Sequence, residues 1–169
     1  VGRFPLLFPD QPLGAYVAAG GVAAVVFFLS LLGHEIAHAI VARRNGVEVD
    51  GITLWMFGGV ARLRGESPNP RADLRIAGVG PLVSLVLAAA FGLLVFLVGE
   101  FGVVGLPRDV LAWLAIINLV LAVFNLVPAA PLDGGRILRA LLWMRHGDRN
   151  RAAVTASRAG RVFGLVLVA

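Results

Sequence analysis

The sequence predicts an all-α polytopic membrane protein with three complete transmembrane helices, a truncated fourth, and a small re-entrant β-hairpin between the first two. Three observations carry this. Of 169 residues, 59% are hydrophobic and 15% charged, where soluble domains run near half and a quarter. Three stretches of 18 to 23 residues carry no charge. A short segment between the first two is instead rich in strand formers around a pair of glycines.

Leu13 to Leu32 is the first charge-free run, 20 residues long, enough to cross about 30 Å of hydrocarbon as a helix. Its helical pattern continues through His34 to Ala42 and stops at Arg43, Arg44, Asn45 and Gly46, a C-terminal signature. Ile76 to Val98 is the second run, with Gly80, Ser84 and Ala88 recurring every four residues; this reads either as a small-residue packing face or as chance in an Ala/Gly-rich segment. Val110 to Val127 is the third, interrupted by Asn118 and Asn125, and Arg158 to Ala169 reads as the opening of a fourth. Ile52 to Leu63 reads as a hairpin turning at Gly58-Gly59, either dipping into the membrane beside protein or lying on the surface. Ser67 to Pro70 reads as a solvated turn.

All 15 basic residues are arginines, and the pI is near 11.4. The arginines cluster at segment ends without interleaved aromatics, which excludes a nucleic-acid partner and points to topology. Six fall in 43–75 and seven in 128–161, leaving Arg3 and Arg108 for the other side; the positive-inside rule makes the arginine-rich face cytoplasmic. The chain lacks cysteine and so any thiolate ligand. It starts at Val1 and ends inside an apolar run. It is therefore expected to be a piece of a longer protein, with an upstream helix and a C-terminal portion outside it.

The chemistry concentrates in His34-Glu35-Ile36-Ala37-His38. On a helix, positions i and i+4 share a face, so two imidazoles can bind one metal ion, and Glu35 beside them can accept a proton from water. Zn2+ suits imidazole and carboxylate donors and tetrahedral geometry. An ionisable residue deep in a span costs on the order of 3 kcal/mol to insert, so its presence asks for a function. His34 lies about 15 Å from the arginine border by helix rise.

Two imidazoles leave a catalytic zinc one protein ligand short. The extended motif with a third histidine is closed, because Val41 and Arg44 stand at its Gly and His positions. Most acids fall in connections or at span edges. Asp133 lies in Asn125-Leu-Val-Pro-Ala-Ala-Pro-Leu-Asp133-Gly-Gly, where Pro128 and Pro131 break the third helix and Gly134-Gly135 turn the backbone ahead of an amphipathic helix, Ile137 to Met144. An aspartate in such a break can face a metal, although an isolated Asp-Gly-Gly is usually only a turn. His146 reads as a surface residue, and Trp55, Trp113 and Trp143 as packing or interfacial anchors.

Together, HEIAH at 34–38, FGG at 57–59, Gly80-Pro81 and NLVPAAPLDGG at 125–135, in this order, resemble the site-2 protease family of intramembrane zinc metalloproteases. The hairpin is similar to that of the subgroup carrying C-terminal CBS domains. The resemblance implies that His34, His38 and Asp133 bind one Zn2+, that Glu35 is the catalytic base, and that Asn125 stabilises the oxyanion or holds substrate. Residues 1–169 would then be one transmembrane metalloprotease core in a multi-pass protein of the cell membrane, its site nearer the cytoplasmic face. The hairpin residues Phe57, Gly58, Gly59 and Val60 are candidate substrate contacts, since an unwound substrate strand could add to its edge. Asn118, seven residues from Asn125, is a weaker candidate contact, with an interhelical hydrogen bond as the favoured alternative. The implied partners are the lipid bilayer and a single-span membrane-protein substrate, such as an anti-sigma factor or another membrane-tethered regulator. The competing reading is a metal-binding membrane transporter or an inactive protease-like scaffold. Glu35 argues against both, because neither needs a base between its ligands.

Overall fold

The computed structural model describes residues 7–55, 58–64 and 67–168, the hairpin by its backbone alone. Helix α1 (Leu13–Arg44) leads into an antiparallel pair, β1 (Glu48–Trp55) and β2 (Gly58–Arg64); then follow α2 (Pro70–Glu100), α3 (Leu106–Asn125), α4 (Asp133–His146) and α5 (Arg149–Val168). Among the described residues α1, α2 and α3 are the helices long and apolar enough to cross a membrane. Most of their apolar windows face outward, as lipid-facing helices do when solvent is hydrocarbon. The chain is a multi-pass membrane protein.

Each helix ends where the sequence supplies a stop. Arg43 and Arg44 occupy the last turn of α1, at the negative end of the helix dipole, and Gly46 follows at φ 77°. Asn69 caps α2, its Oδ1 accepting the Ala72 N–H at 2.9 Å, with Pro70 in the first turn where no amide donor is needed. This start lies six residues before the charge-free run, because the first turn carries Arg71 and Asp73. Asp148 caps α5 by accepting the Arg151 N–H at 3.0 Å.

The structure differs from the sequence pattern at two pairs of glycines. Gly58 and Gly59 are not the hairpin turn: Trp55 pairs with Gly58 and Leu54 with Gly59, so both glycines are strand residues of β2. A register shift between Val49 and Gly51 marks a bulge that the sequence pattern does not show. Phe57 lies outside the described residues. Gly134 and Gly135 likewise do not form a turn before a later helix; α4 begins at Asp133 and contains both. Their function is close approach. A Cβ on Gly134 would run into the carbonyl oxygens of Leu126 and Val127, and one on Gly135 would sit 2.9 Å from the Ala129 carbonyl.

Helix α2 is central, packing on α1, α3 and α4, while the hairpin rests on α1 and α5 on α4. One core cluster, Tyr16, Ala23, Val110 and Leu114, joins the N-terminal half of α1 to α3. A second, Ala42, Val47 and Ile76, joins the C-terminal end of α1 to α2. The histidine turn of α1 lies between them along the helix.

Candidate metal centre

His34 and His38 occur one helical turn apart on the buried face of α1, 2% and 5% exposed. Asp133 opens α4 and reaches them across the loop that breaks after α3. Its Oδ2 stands 3.2 Å from His34 Nε2 and 3.2 Å from His38 Nε2, and the two nitrogens are 3.1 Å apart. The three residues form a group able to hold a metal ion.

The far side of each ring shows what this triangle is. His38 Nδ1 lies 2.6 Å from the Ile76 carbonyl, which can only accept, so Nδ1 carries the proton and the Nε2 lone pair of the neutral ring points at Asp133 and His34. His34 Nδ1 lies 2.9 Å from the Ser84 hydroxyl, a partner that orients its Nε2 the same way. Asp133 adds a carboxylate oxygen to the two ring nitrogens. Three electron-pair donors thus converge. Such an arrangement suits a cation at its centre, and the spacing suits zinc: donors about 2.0–2.1 Å from a tetrahedral ion stand about 3.3 Å apart.

Helix α2 forms the back of the site. Ile76, Gly80 and Ser84 lie at successive four-residue steps on one face; the first and last hold the two imidazoles. Gly80, between them, has its Cα against both rings, and a Cβ there would press on the Nε2 atoms of His34 and His38. Glycine leaves the space in which the ligands meet. The recurrence of Gly80 and Ser84 is visible in the sequence as a packing face, but the hydrogen bond to His34 is not.

The remaining candidates are placed as follows. Glu35 is buried beside the histidines on α1. Asn125 is the last residue of α3, partly buried, its Nδ2 donating to the Leu121 carbonyl at 3.0 Å. Asn118 is fully buried and donates to Leu114 at 2.9 Å within its own helix. Gly58, Gly59 and Val60 lie in β2 on the hairpin. Sequence reading also missed Asp73, 1% exposed and gripped by Arg136 and Arg139 of α4. Nothing local marks that partnership, since the residues are more than sixty positions apart.

A buried two-histidine, one-carboxylate group with an adjacent glutamate, on a helix long enough to span a bilayer, is a donor set that fits Zn2+. The sequence profile of peptidase family M50 matches residues 22–108 and 103–167, and the chain belongs to that family. It is 52% identical over 158 residues to Rip3 of Mycobacterium tuberculosis, which is named as a zinc metalloprotease; the match covers 94% of this chain and 40% of Rip3. It is 35% identical over 150 residues to the zinc metalloprotease MJ0392 of Methanocaldococcus jannaschii, covering 87% of this chain and 42% of the relative. Its fold is similar to the solved site-2 protease from Methanocaldococcus jannaschii, with a TM-score of 0.62 and 31% identity over 90% of this chain and 73% of that one. The chain spans about two fifths of the length of these two relatives.

Proposed function

We propose that this chain is the catalytic core of an intramembrane zinc metalloprotease that hydrolyses peptide bonds within transmembrane segments of membrane-protein substrates. The convergence of His34 Nε2, His38 Nε2 and Asp133 Oδ2 within 3.1–3.2 Å, inside a membrane-spanning bundle, carries the reading. These three residues would hold Zn2+, which when bound would supply Lewis-acid polarisation and lower the pKa of water. Glu35 takes the proton from the attacking water and passes it to the leaving amide nitrogen. Asn125 offers its amide to the developing oxyanion, after releasing the Leu121 carbonyl that it holds in this structure.

A substrate helix hides its peptide bonds in its own hydrogen bonds. The β1–β2 hairpin, read as a loop that re-enters the membrane beside α1, presents a strand edge on which an unwound segment can be held. The arginine-rich segments set the cytoplasmic side, and His34 then lies about 15 Å into the protein from the Arg43–Arg44 border. A single-span protein such as a membrane-tethered regulator is the proposed substrate.

The test is cleavage of a single-span substrate in proteoliposomes before and after removal of metal with a chelator. Cleavage that stops on chelation and returns with Zn2+ supports the proposal. Chelator-resistant cleavage contradicts it, and stoichiometric zinc without any cleavage favours the transporter or scaffold reading.

A further inference from the structure

Asp73 has a buried carboxylate on the first turn of α2, and its two charged partners both lie on α4. Arg139 is bidentate: Nε donates to Oδ2 at 3.0 Å, and Nη2 reaches Oδ1 at 2.9 Å and Oδ2 at 2.7 Å. Arg136 Nη2 donates to Oδ1 at 3.3 Å, and the Ser67 hydroxyl donates to the same oxygen at 3.1 Å. The carboxylate side chain is 1% exposed, against 25% and 29% for the two arginines.

The position of this clamp matters more than its strength. Arg136 and Arg139 lie three and six residues beyond Asp133, so they lie about 4.5 and 9 Å along α4 from the third ligand. Asp73 precedes Ile76, Gly80 and Ser84 on the α2 face that orients both imidazoles. The main packing partners of α4 are α2 and α5, so Asp133 is brought to the histidines of α1 through α2. An apolar contact could hold two helices together as well as a buried ion pair does. A bidentate guanidinium–carboxylate fork adds direction, because it fixes the angle and register of one helix on the other.

We infer that Asp73 and Arg139, assisted by Arg136, are positioning residues that set the third metal ligand: the clamp fixes α4 so that Asp133 Oδ2 completes the triangle with the two histidines. This rests on the reading of His34, His38 and Asp133 as the zinc ligands.

The experiment is a double-mutant cycle on zinc affinity, measured by competition with a chromophoric chelator on the intact protein in detergent. Asp73→Asn is expected to weaken zinc binding about 10- to 100-fold, the range for residues that orient a ligand. Arg139→Lys, which keeps charge but cannot form the fork, is expected to fall between. In an Asp133→Ala background both effects should vanish, because the ligand they position is gone. Wild-type affinity in both Asp73→Asn and Arg139→Lys would overturn the inference. So would an equal loss with and without Asp133, which would show that Asp73 supports the fold at large. If Asp73→Asn does not fold, Arg139→Lys and Arg136→Gln decide by the same cycle. Failure of the wild type to bind zinc, or an Asp133→Ala affinity equal to wild type, would instead remove the metal reading itself.

Discussion

Replacing Gly80 by alanine adds one methyl group to the back of the metal site, and the structure shows where that methyl would go. Its Cβ would press on Nε2 of both histidines and lie 2.7 Å from His38 Cε1. Carbon and ring atoms need about 3.5 Å or more, so His38 must withdraw by roughly 0.8 Å or more. The rings have little freedom to do so, because their Nδ1 atoms are held by Ile76 and Ser84 at 2.6 and 2.9 Å. A zinc–nitrogen bond tolerates about 0.2 Å around its 2.0–2.1 Å length. Gly80→Ala should therefore lower zinc affinity by more than the roughly 100-fold limit of residues that only orient a ligand. Overpacking should lower stability by only about 1–3 kcal/mol. Zinc per protein by elemental analysis, with chelator competition for affinity, reads the first effect; thermal unfolding in detergent reads the second. Stoichiometric zinc at wild-type affinity in Gly80→Ala would refute the reasoning, since both imidazoles cannot keep their places beside that methyl.

Two further perturbations follow from the same geometry. Ser84→Ala removes the partner of His34 Nδ1 and leaves the ring free to rotate; zinc affinity should fall about 10-fold, or about 1.4 kcal/mol, with the fold intact. Chelator competition checks this, and an unchanged affinity would show that packing alone holds the ring. Gly134→Ala puts a methyl group against the Leu126 and Val127 carbonyls. Because backbone cannot step aside, the variant should lose about 1–3 kcal/mol of stability. It should also lose zinc, since Asp133 is the preceding residue. A melting temperature and zinc content equal to wild type would contradict that account.

The site was legible in the sequence where its parts are close along the chain. His34 and His38 meet because a helix repeats about every four residues, and Asp133 stood out because prolines break the backbone just ahead of it. The parts supplied by α2 were less legible. The contact of Ser84 with His34 spans 50 positions and that of Asp73 with Arg139 spans 66, and no local pattern records either. Glycines misled twice in the same way. Gly58-Gly59 and Gly134-Gly135 suggest turns by conformational freedom. The first pair instead lies in a strand, and the second is in a helix, where the lack of a Cβ lets the chain pass close to another backbone. Helix α2 begins at Pro70 rather than near Ile76 because its charged first turn is partly buried in an ion-pair cluster. A search for charge-free runs passes over such a turn.

Glu35 is the residue that separates a protease from a protein that merely holds metal, and Glu35→Gln keeps the side chain's size while removing its capacity to take a proton. With zinc-loaded wild type and variant reconstituted alongside a single-span substrate, cleavage should fall at least about 10²- to 10⁴-fold in the variant, while zinc content stays the same. Equal cleavage by both proteins at equal zinc content would contradict the central claim.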